Sequence, residues 1–411
     1  MLIGIDASRA NREHKSGTEW YSYYLIKRLA KLDSQNQYVL YTDKPLKGGL
    51  LDLPDNFRET VLKWPFNFFW TQGRLSLEML IAKPDVLFIP AHALPLVHPQ
   101  KSIVTIHDVG FERDRRMYNK QAMGPGSKQC RKVMNFFVKL FSRGKYNATS
   151  LDYLSWSTRY TLKRAKKIIT PSDFSKQEIM EVCGTDGDKI KVVHNGYNSL
   201  LYKKINPVKY SEQFNGVNNE NEIREVLEKY GITKPYILCI GRLEKKKNTP
   251  ALIEAFAVMR EKNRNREYKL VLVGDAGFGF DEVKYAIREF DLVEKVIMPG
   301  WVEERDMPYL YNGATAFVFP SLYEGFGIPL LQAMACEVPI TASRAASIPE
   351  VVGDAALLFD PTDVAAMAEA MEKIIFDNEL RESLIKKGKE RAKNFSWEKC
   401  AKETLVEIVN L

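Results

Sequence analysis

The chain lacks several features that mark a specialised protein at sight. Its five cysteines (Cys130, Cys183, Cys239, Cys336 and Cys400) are scattered among 411 residues, without a CxxC pair or any metal-ligand spacing. An odd, unpatterned set argues against a disulfide framework and for a reducing compartment. No apolar run approaches the roughly 20 residues needed to cross a bilayer, so any membrane contact has to be peripheral. The opening Met1-Leu2-Ile3-Gly4-Ile5-Asp6 has no basic segment ahead of its apolar run. It reads as a first strand rather than a signal peptide, which points to the cytoplasm. Sequence repeats and low-complexity tracts are absent. Also missing is a GxGxxG after the first strand with an acidic residue about 20 positions on, the fingerprint of a nicotinamide-dependent dehydrogenase.

What is present is ordinary in amount and informative in arrangement. Hydrophobic content of 45% and charged content of 27% suit a soluble globular protein, and 411 residues are too many for one compact core. Leu2–Ile5, Tyr38–Tyr41, Val86–Ile89, Ile103–Ile106, Lys167–Thr170 and Ile190–His194 read as buried parallel strands with helical patterns such as Trp20–Leu32 between them. After a polar stretch the alternation restarts with Tyr236–Ile240, Lys269–Val273, Val296–Met298, Thr315–Phe319 and Pro339–Thr341. Two such blocks predict an α/β protein of two doubly wound, Rossmann-like domains facing across a cleft, over residues 1–205 and 206–394. Asn206–Asn221, shortly after Asn195-Gly196, is the expected hinge region, with Asn215–Asn221 as a mobile surface insertion.

Ligands of open α/β sheets bind beyond the carboxyl ends of the strands, so polar clusters there are the candidate site. The densest is Pro320-Ser321-Leu322-Tyr323-Glu324-Gly325-Phe326-Gly327-Ile328-Pro329-Leu330-Leu331-Gln332. A β-rich run stops at Pro320, a glycine-flanked loop follows, and a helix opens near Pro329, where a missing N–H costs nothing. Such a helix start collects free N–H groups and the positive end of a dipole, a place for phosphate. Glu324 would repel phosphate, so its natural partners are the hydroxyls of a sugar. Gln332, eight residues on and about one turn into the helix, can face the same place.

Strand Tyr236–Ile240 runs into Gly241-Arg242-Leu243-Glu244-Lys245-Lys246-Lys247-Asn248, ahead of a helix over Pro250–Arg260. Arg242 and Lys247 offer the fork-shaped guanidinium and compact ammonium that suit a diphosphate without a metal. Lys245 and Lys246 read as a solvated turn. His107, in Thr105-Ile106-His107-Asp108 at another strand end, is a candidate for bonding substrate hydroxyls, although a lone histidine is more often structural. Gly17 closes the loop after the first strand and lets backbone approach phosphate. Met298-Pro299-Gly300-Trp301-Val302 either offers backbone groups to a base or is simply a turn. Asp186-Gly187-Asp188 mimics a metal-binding DxD but sits in a turn feeding a strand, and no metal or other cofactor is expected.

The net charge of +8 is concentrated. Between Glu112 and Lys167 fifteen Lys/Arg face three acids, an excess of +12, which leaves the remainder slightly acidic. Within that segment Val133, Phe136, Phe137, Leu140 and Phe141 recur at helical spacing, with Lys132, Lys139 and Arg143 beside them. A basic amphipathic helix predicts an anionic membrane surface or a polyanionic acceptor. The plainer reading is a core-facing helix with a solvated flank. No nucleic-acid motif accompanies it, so nucleic acid is not an expected partner.

Together these residues resemble the retaining GT-B glycosyltransferases of family 4, the group 1 glycosyltransferases. The resemblance covers nearly the whole chain and is densest from Tyr236 to Asp363. It is carried by Gly241-Arg242-Leu243 with Lys247-Asn248, Gly300-Trp301-Val302, the Glu324–Gln332 loop and Ser347-Ile348-Pro349-Glu350-Val351-Val352-Gly353-Asp354. The N-terminal half adds Gly4-Ile5-Asp6-Ala7, Gly17, His107-Asp108, Pro171-Ser172 and Asn195-Gly196. The resemblance implies a nucleotide-diphospho-sugar donor held mainly by the C-terminal domain. Arg242 and Lys247 would hold its diphosphate, Glu324 the donor sugar within the Gly325, Phe326, Gly327 and Ile328 loop, Gln332 the ribose and Val302 the base. Gly17 would meet the phosphates from the other domain, and His107 would line the reaction centre as a second catalytic residue beside Glu324. Residues 395–411 would form a final helix returning to the N-terminal domain. The wording around Ser321–Pro329 and Ser347–Pro361 is most similar to mannosyltransferases of polysaccharide assembly. That implies GDP-mannose ahead of UDP-sugars, and a glycan or lipid-linked glycan as acceptor.

Two departures stand out. The family pattern has two glutamates eight apart; here the second is Gln332, with one acceptor oxygen rather than two, which implies weaker donor binding. Glu337 stands where the family usually has glycine, which implies an altered turn. A retaining glycosidase needs two carboxyls about 5 Å apart, and the motifs place one. The implied route is therefore front-side attack, with Arg242, Lys247 and the helix start stabilising charge on the departing phosphate and domain closure limiting hydrolysis. The same architecture also suits a nucleotide-sugar epimerase or hydrolase, or a non-catalytic nucleotide-sugar-binding protein.

Overall fold

The computed structural model describes residues 1–65, 69–123, 128–205, 219–263 and 266–411. It divides into two compact units, Met1–Asn195 with Trp397–Leu411, and Gly196–Ser396. The first unit carries β1 (Leu2–Asp6), β2 (Gln37–Thr42), β3 (Phe57–Val61), β4 (Val86–Ile89), β5 (Ser102–Thr105), β6 (Lys167–Thr170) and β7 (Ile190–Val192) in the order β3-β2-β1-β4-β5-β6-β7. The second carries β8 (Tyr236–Ile240), β9 (Lys269–Val273), β10 (Val296–Gly300), β11 (Ala316–Phe319), β12 (Ile340–Ser343) and β13 (Leu357–Phe359) in the order β10-β9-β8-β11-β12-β13. Pairing is parallel throughout both sheets. Strand order reverses between β1 and β4 in one unit and between β8 and β11 in the other. Those are the topological switch points, where doubly wound sheets bind ligands.

The central strands are legible because they are buried on both faces. β4, β5, β11 and β12 are buried at every position, so they read as continuous apolar runs rather than alternating ones. The sequence reading missed two of the four edge strands, β3 and β13. β3 exposes Arg58 and Glu59, and β13 is three residues long; polar or short edges carry little apolar signal.

Three helices of the first unit, α1 (Gly17–Leu32), α2 (Lys128–Phe141) and α6 (Trp397–Val409), and three of the second, α3 (Thr249–Lys262), α4 (Met307–Gly313) and α5 (Ile328–Ala335), carry residues discussed below. α1 starts three residues before the expected Trp20 because Ser16 and Glu19 form a reciprocal capping box. The units part at Asn195–Gly196, ten residues ahead of the boundary expected at 205. Tyr202 explains the shift: it is buried in the second unit with its ring 6.0 Å from Tyr311, and Ile205 N–H donates to Asn312 Oδ1 at 2.8 Å. The expected hinge and insertion lie outside the described residues as far as Asn218; Asn219–Lys229 is a helix. α6 packs within the first unit, where buried Trp397 stacks on Tyr24 at 5.5 Å and Glu398 pairs with Arg28 at 2.9 Å. Phe395, expected to open that final segment, is instead part of the second unit's core. Among the described residues no helix is long and apolar enough to cross a membrane, and the described cysteines are free thiols.

Candidate functional site

The second unit's site is built by the two loops that leave β8 and β11. After β8 the chain turns through Gly241–Asn248, and Asn248 adopts a left-handed φ of +57° immediately before α3. After β11 the loop ends on Gly327 at φ +98°, immediately before α5. A Cβ on Gly327 would meet Leu330 Cδ1 at 3.0 Å as well as being strained, so this position favours glycine.

The loops are tied to each other. Leu322 N–H donates to the Lys246 carbonyl at 2.9 Å, and the Lys247 ammonium forms an ion pair with the Glu324 carboxylate. Both side chains are largely buried, and Lys247 Nζ lies 5.5 Å from the Phe319 ring centroid. The carboxylate that would repel phosphate is thus neutralised by its neighbour. Sequence reading named both residues and missed that they pair, because they stand 77 positions apart. An ammonium has three N–H donors, so the pair leaves Lys247 able to reach an anion. Arg242 is exposed and engages no carboxylate among the described residues.

Two buried hydroxyls hold the Glu324 loop from the β12 side. Ser343 Oγ donates to the Ser321 carbonyl at 2.6 Å, and Ser347 Oγ to the Glu324 carbonyl at 2.9 Å. Asn248 Nδ2 likewise donates to the Pro361 carbonyl at 2.7 Å. A single serine in a sequence gives no sign of this work. Phe326 is buried with its ring edge-on to Phe395 at 5.8 Å and supports the loop from within; Gly325 is buried beside it and Ile328 partly so.

Gln332 has a partner inside the fold that the sequence did not show. Its amide oxygen, the one acceptor expected to be left for a ligand, is 3.1 Å from the hydroxyl of Tyr311, a residue that sequence reading passed over. Val302 is buried in the core, so backbone alone is left there to meet a ligand. Glu337 adopts φ +57° and pairs with Lys389 at 2.6 Å. The left-handed turn that glycine favours is therefore kept rather than altered.

In the first unit the polar groups gather beyond β1, β4 and β5. Asp6, at the end of β1, is buried; burial pushes its carboxyl above the usual range against the pull of Ser8 and Arg9. Glu19 closes the α1 cap and pairs with Arg9 at 3.0 Å. Burial opposes its ionisation, but the bonds from Ser16 and Arg9 outweigh that and hold the carboxyl low. Gly17 is the first residue of α1, and a Cβ there would touch nothing within 4 Å, so its backbone stands open.

His107 Nε2 lies 3.0 Å from the Pro90 carbonyl, just beyond β4. A carbonyl only accepts, so Nε2 carries the proton and Nδ1 keeps a lone pair. Burial holds the imidazole below the ordinary histidine range, against the raising effects of Pro90 and Asp108. The ring is neutral at neutral pH, and Nδ1 has no partner among the described residues. Tyr21 packs edge-on to it at 4.7 Å, and His92, left-handed at φ +26°, has its ring 5.7 Å away. Asp186 Oδ1 accepts from Asp188 N–H at 3.0 Å and closes a turn.

On α2, Phe136 and Leu140 are 63% and 59% exposed, with Lys132, Lys139 and Arg143 exposed around them. The core-facing reading therefore fails for these two apolar residues. The side chains of Val133, Phe137 and Phe141 lie outside the described residues.

Arg242, Lys247, Glu324, the Gly325–Ile328 loop and Gln332 thus surround one switch point, while Gly17 and His107 surround the other. Known proteins share this sequence arrangement in both halves. Residues 15–199 match the model of Glycosyltransferase Family 4, and residues 219–391 that of Glycosyl transferases group 1. The chain is 34% identical over 276 residues to the O-antigen chain mannosyltransferase B of Escherichia coli, covering 65% of this chain and 67% of that protein. It belongs to the group 1, family 4 glycosyltransferases. Another relative, the serotype-specific mannosyltransferase WbdA of Escherichia coli, is 28% identical over 237 residues, 57% of this glycosyltransferase but 28% of WbdA. Sucrose-phosphate synthase from Thermosynechococcus elongatus shares the GT-B fold at a TM-score of 0.71 and 18% identity, over 99% of this chain and 98% of that one.

Proposed function

We propose that this glycosyltransferase moves a hexose, with retention of anomeric configuration, from a nucleotide-diphospho-sugar to a glycan or lipid-linked glycan in surface polysaccharide assembly. GDP-mannose is the first candidate donor, with UDP-sugars next; the mannosyltransferases among its relatives support that order. The observation that carries the reading is the Lys247–Glu324 pair at the second unit's switch point, with exposed Arg242 beside it. Glu324 has an ammonium at its side, which suits binding sugar hydroxyls beside a diphosphate better than forming a covalent sugar intermediate. In the proposed step the bond from the anomeric carbon to the phosphate oxygen breaks as the bond to the acceptor oxygen forms on the same face. The departing phosphate oxygen takes the acceptor's proton, and Arg242, Lys247 and the start of α5 stabilise its charge. His107, neutral, offers Nδ1 to a hydroxyl on the acceptor side. Two cationic side chains carry the diphosphate charge in this scheme, so it includes no metal, and turnover should survive a chelator.

Thermal shift against GDP, UDP and ADP and their common sugars tests the donor. A ligand at about a hundred times its Kd adds about 2.7 kcal/mol, a clear rise in Tm. Product analysis with and without a glycan acceptor tests the reaction. A new glycoside of unchanged anomeric configuration is expected; release of free sugar or an epimer alone, with or without acceptor, would replace this reading by a hydrolase or epimerase.

The exposed Phe136 and Leu140 between Lys132, Lys139 and Arg143 support a second element, peripheral docking on an anionic membrane surface at its cytoplasmic face. A basic residue near such a surface is worth about 1 kcal/mol. Reversing all three charges should therefore cut binding to phosphatidylserine vesicles by at least about a hundredfold. Unchanged partitioning would remove the membrane from the proposal.

A further inference from the structure

Gln332 stands where the family pattern has its second glutamate, and the exchange has a partner inside the fold. Tyr311, on α4, is fully buried. Its hydroxyl lies 3.1 Å from Gln332 Oε1 and 3.2 Å from the Pro329 carbonyl oxygen. Burial holds this phenol far above its ordinary range, so it remains a donor at any working pH, with one proton to share between two acceptors. That draws Oε1 inward. The other end of the amide, Nε2, has no partner among the described residues and is not sealed in the core.

We infer that Tyr311 is a positioning residue that turns Gln332 so that the amide N–H2, and not the oxygen, faces the ligand and donates to a ribose hydroxyl. The inference rests on the donor-site reading above. It gives the substitution a physical sense. A glutamate at this position would keep the Tyr311 bond but place a second anion beside the diphosphate. The amide keeps the same bond and removes that charge. With Glu324 matched by Lys247, Arg242 is left to the ligand, and the ribose meets a neutral donor.

The test is a double-mutant cycle read by calorimetry on the full chain. The ligands are whichever of GDP, UDP or ADP binds best, and its 2′,3′-dideoxy counterpart. The wild-type protein should prefer the ribose form by about fivefold, the worth of one neutral hydrogen bond. Tyr311→Phe should erase most of that preference while leaving affinity for the dideoxy form unchanged. In a Gln332→Ala background the same change should do nothing further to the preference. The lost bond to Pro329 is common to both backgrounds and cancels. Equal effects in both backgrounds, or an unchanged preference after Tyr311→Phe, would overturn the inference. The 3′-O-methyl nucleotide, whose ether oxygen accepts but cannot donate, reads the polarity. Relative to the parent it should bind Gln332→Glu about tenfold worse than it binds the wild-type protein, and the reverse order would overturn the donor assignment. Binding without a ribose preference would defeat this inference alone, whereas no binding of any nucleoside diphosphate would defeat the donor-site reading beneath it.

Discussion

The first and second units follow one plan and distribute their polar groups differently. Both sheets reverse strand order at a switch point, and both place side chains beyond it. In the second unit these come from two unbroken segments, Gly241–Asn248 and Pro320–Gln332, locked by the Lys247–Glu324 pair. In the first they arrive singly: Arg9 and Glu19 around the end of β1, Pro90 after β4, His107 after β5. A diphosphate that must leave with its charge stabilised needs a fixed set of cations and backbone N–H groups, which a glycine loop feeding a helix builds from neighbouring residues. A neutral hydroxyl asks only for scattered hydrogen bonds.

The sharpest break between the units should be kinetic. On the proposed function, Lys247→Ala removes charge from the leaving group, and in any case it strands the buried Glu324 carboxylate. We expect kcat to fall by about 10²–10³, the range for losing one preorganised electrostatic group, together with weaker nucleotide binding. His107→Ala should leave nucleotide affinity intact and lower kcat by about tenfold, one neutral hydrogen bond in the transition state. Steady-state kinetics beside calorimetry would separate the two. Equal loss of nucleotide affinity in both variants would dissolve the division of labour.

That difference also governs what is legible in the sequence alone. Every central strand was legible, because strands buried on both faces are written as uninterrupted apolar runs. The second unit's loops were legible because glycine, proline and charge fall together within a dozen residues. What stayed hidden depends on distance along the chain. Ser343 and Ser347 hold loop carbonyls some 22 and 23 residues away, and Tyr311 reaches 21 residues to Gln332. A hydroxyl bonded at that range leaves no periodic trace. The unit boundary was misplaced because Tyr202 looks like linker until its packing on Tyr311 is seen.

Glycines give the next comparison, now in stability. Gly327→Ala forces a side chain into a left-handed conformation against Leu330 and should cost about 1–3 kcal/mol. Gly17→Ala places its methyl in open space at the first residue of α1 and should stay within about 0.5 kcal/mol of wild type. Urea midpoints at constant m-value decide it. A cost at Gly17 as large as that at Gly327 would mean that the loop after β1 is more tightly packed than it stands here.

Glu337 inverts the glycine argument with a smaller effect. A side chain held at φ +57° costs about 1 kcal/mol or slightly more. Glu337→Gly recovers that and gives up the pair with Lys389, whose own side chain is 58% exposed and whose contribution is therefore about 0–1 kcal/mol. The net change should be a gain below about 1 kcal/mol. A lower urea midpoint would show that the ion pair outweighs the strain.

The smallest expected effect is a slope with pH, and it tests the first unit's one assigned protonation state. Burial holds His107 below the ordinary histidine range, whereas in the unfolded chain it titrates near about 6.5. Between those two values the unfolded chain binds more protons than the folded one, so stability rises with pH across that window. Above about 6.5 this residue adds no further slope, and below its folded pKa the penalty is present in full. His107→Gln removes the titration and little else. The Tm of the wild-type protein minus that of the variant should therefore climb as pH rises through the window and then level off. A flat difference would remove the neutral assignment, and with it Nδ1 as an acceptor. A falling difference would mean that the folded protein holds His107 as a cation, which would make the first unit, like the donor site proposed for the second, a place for negative charge.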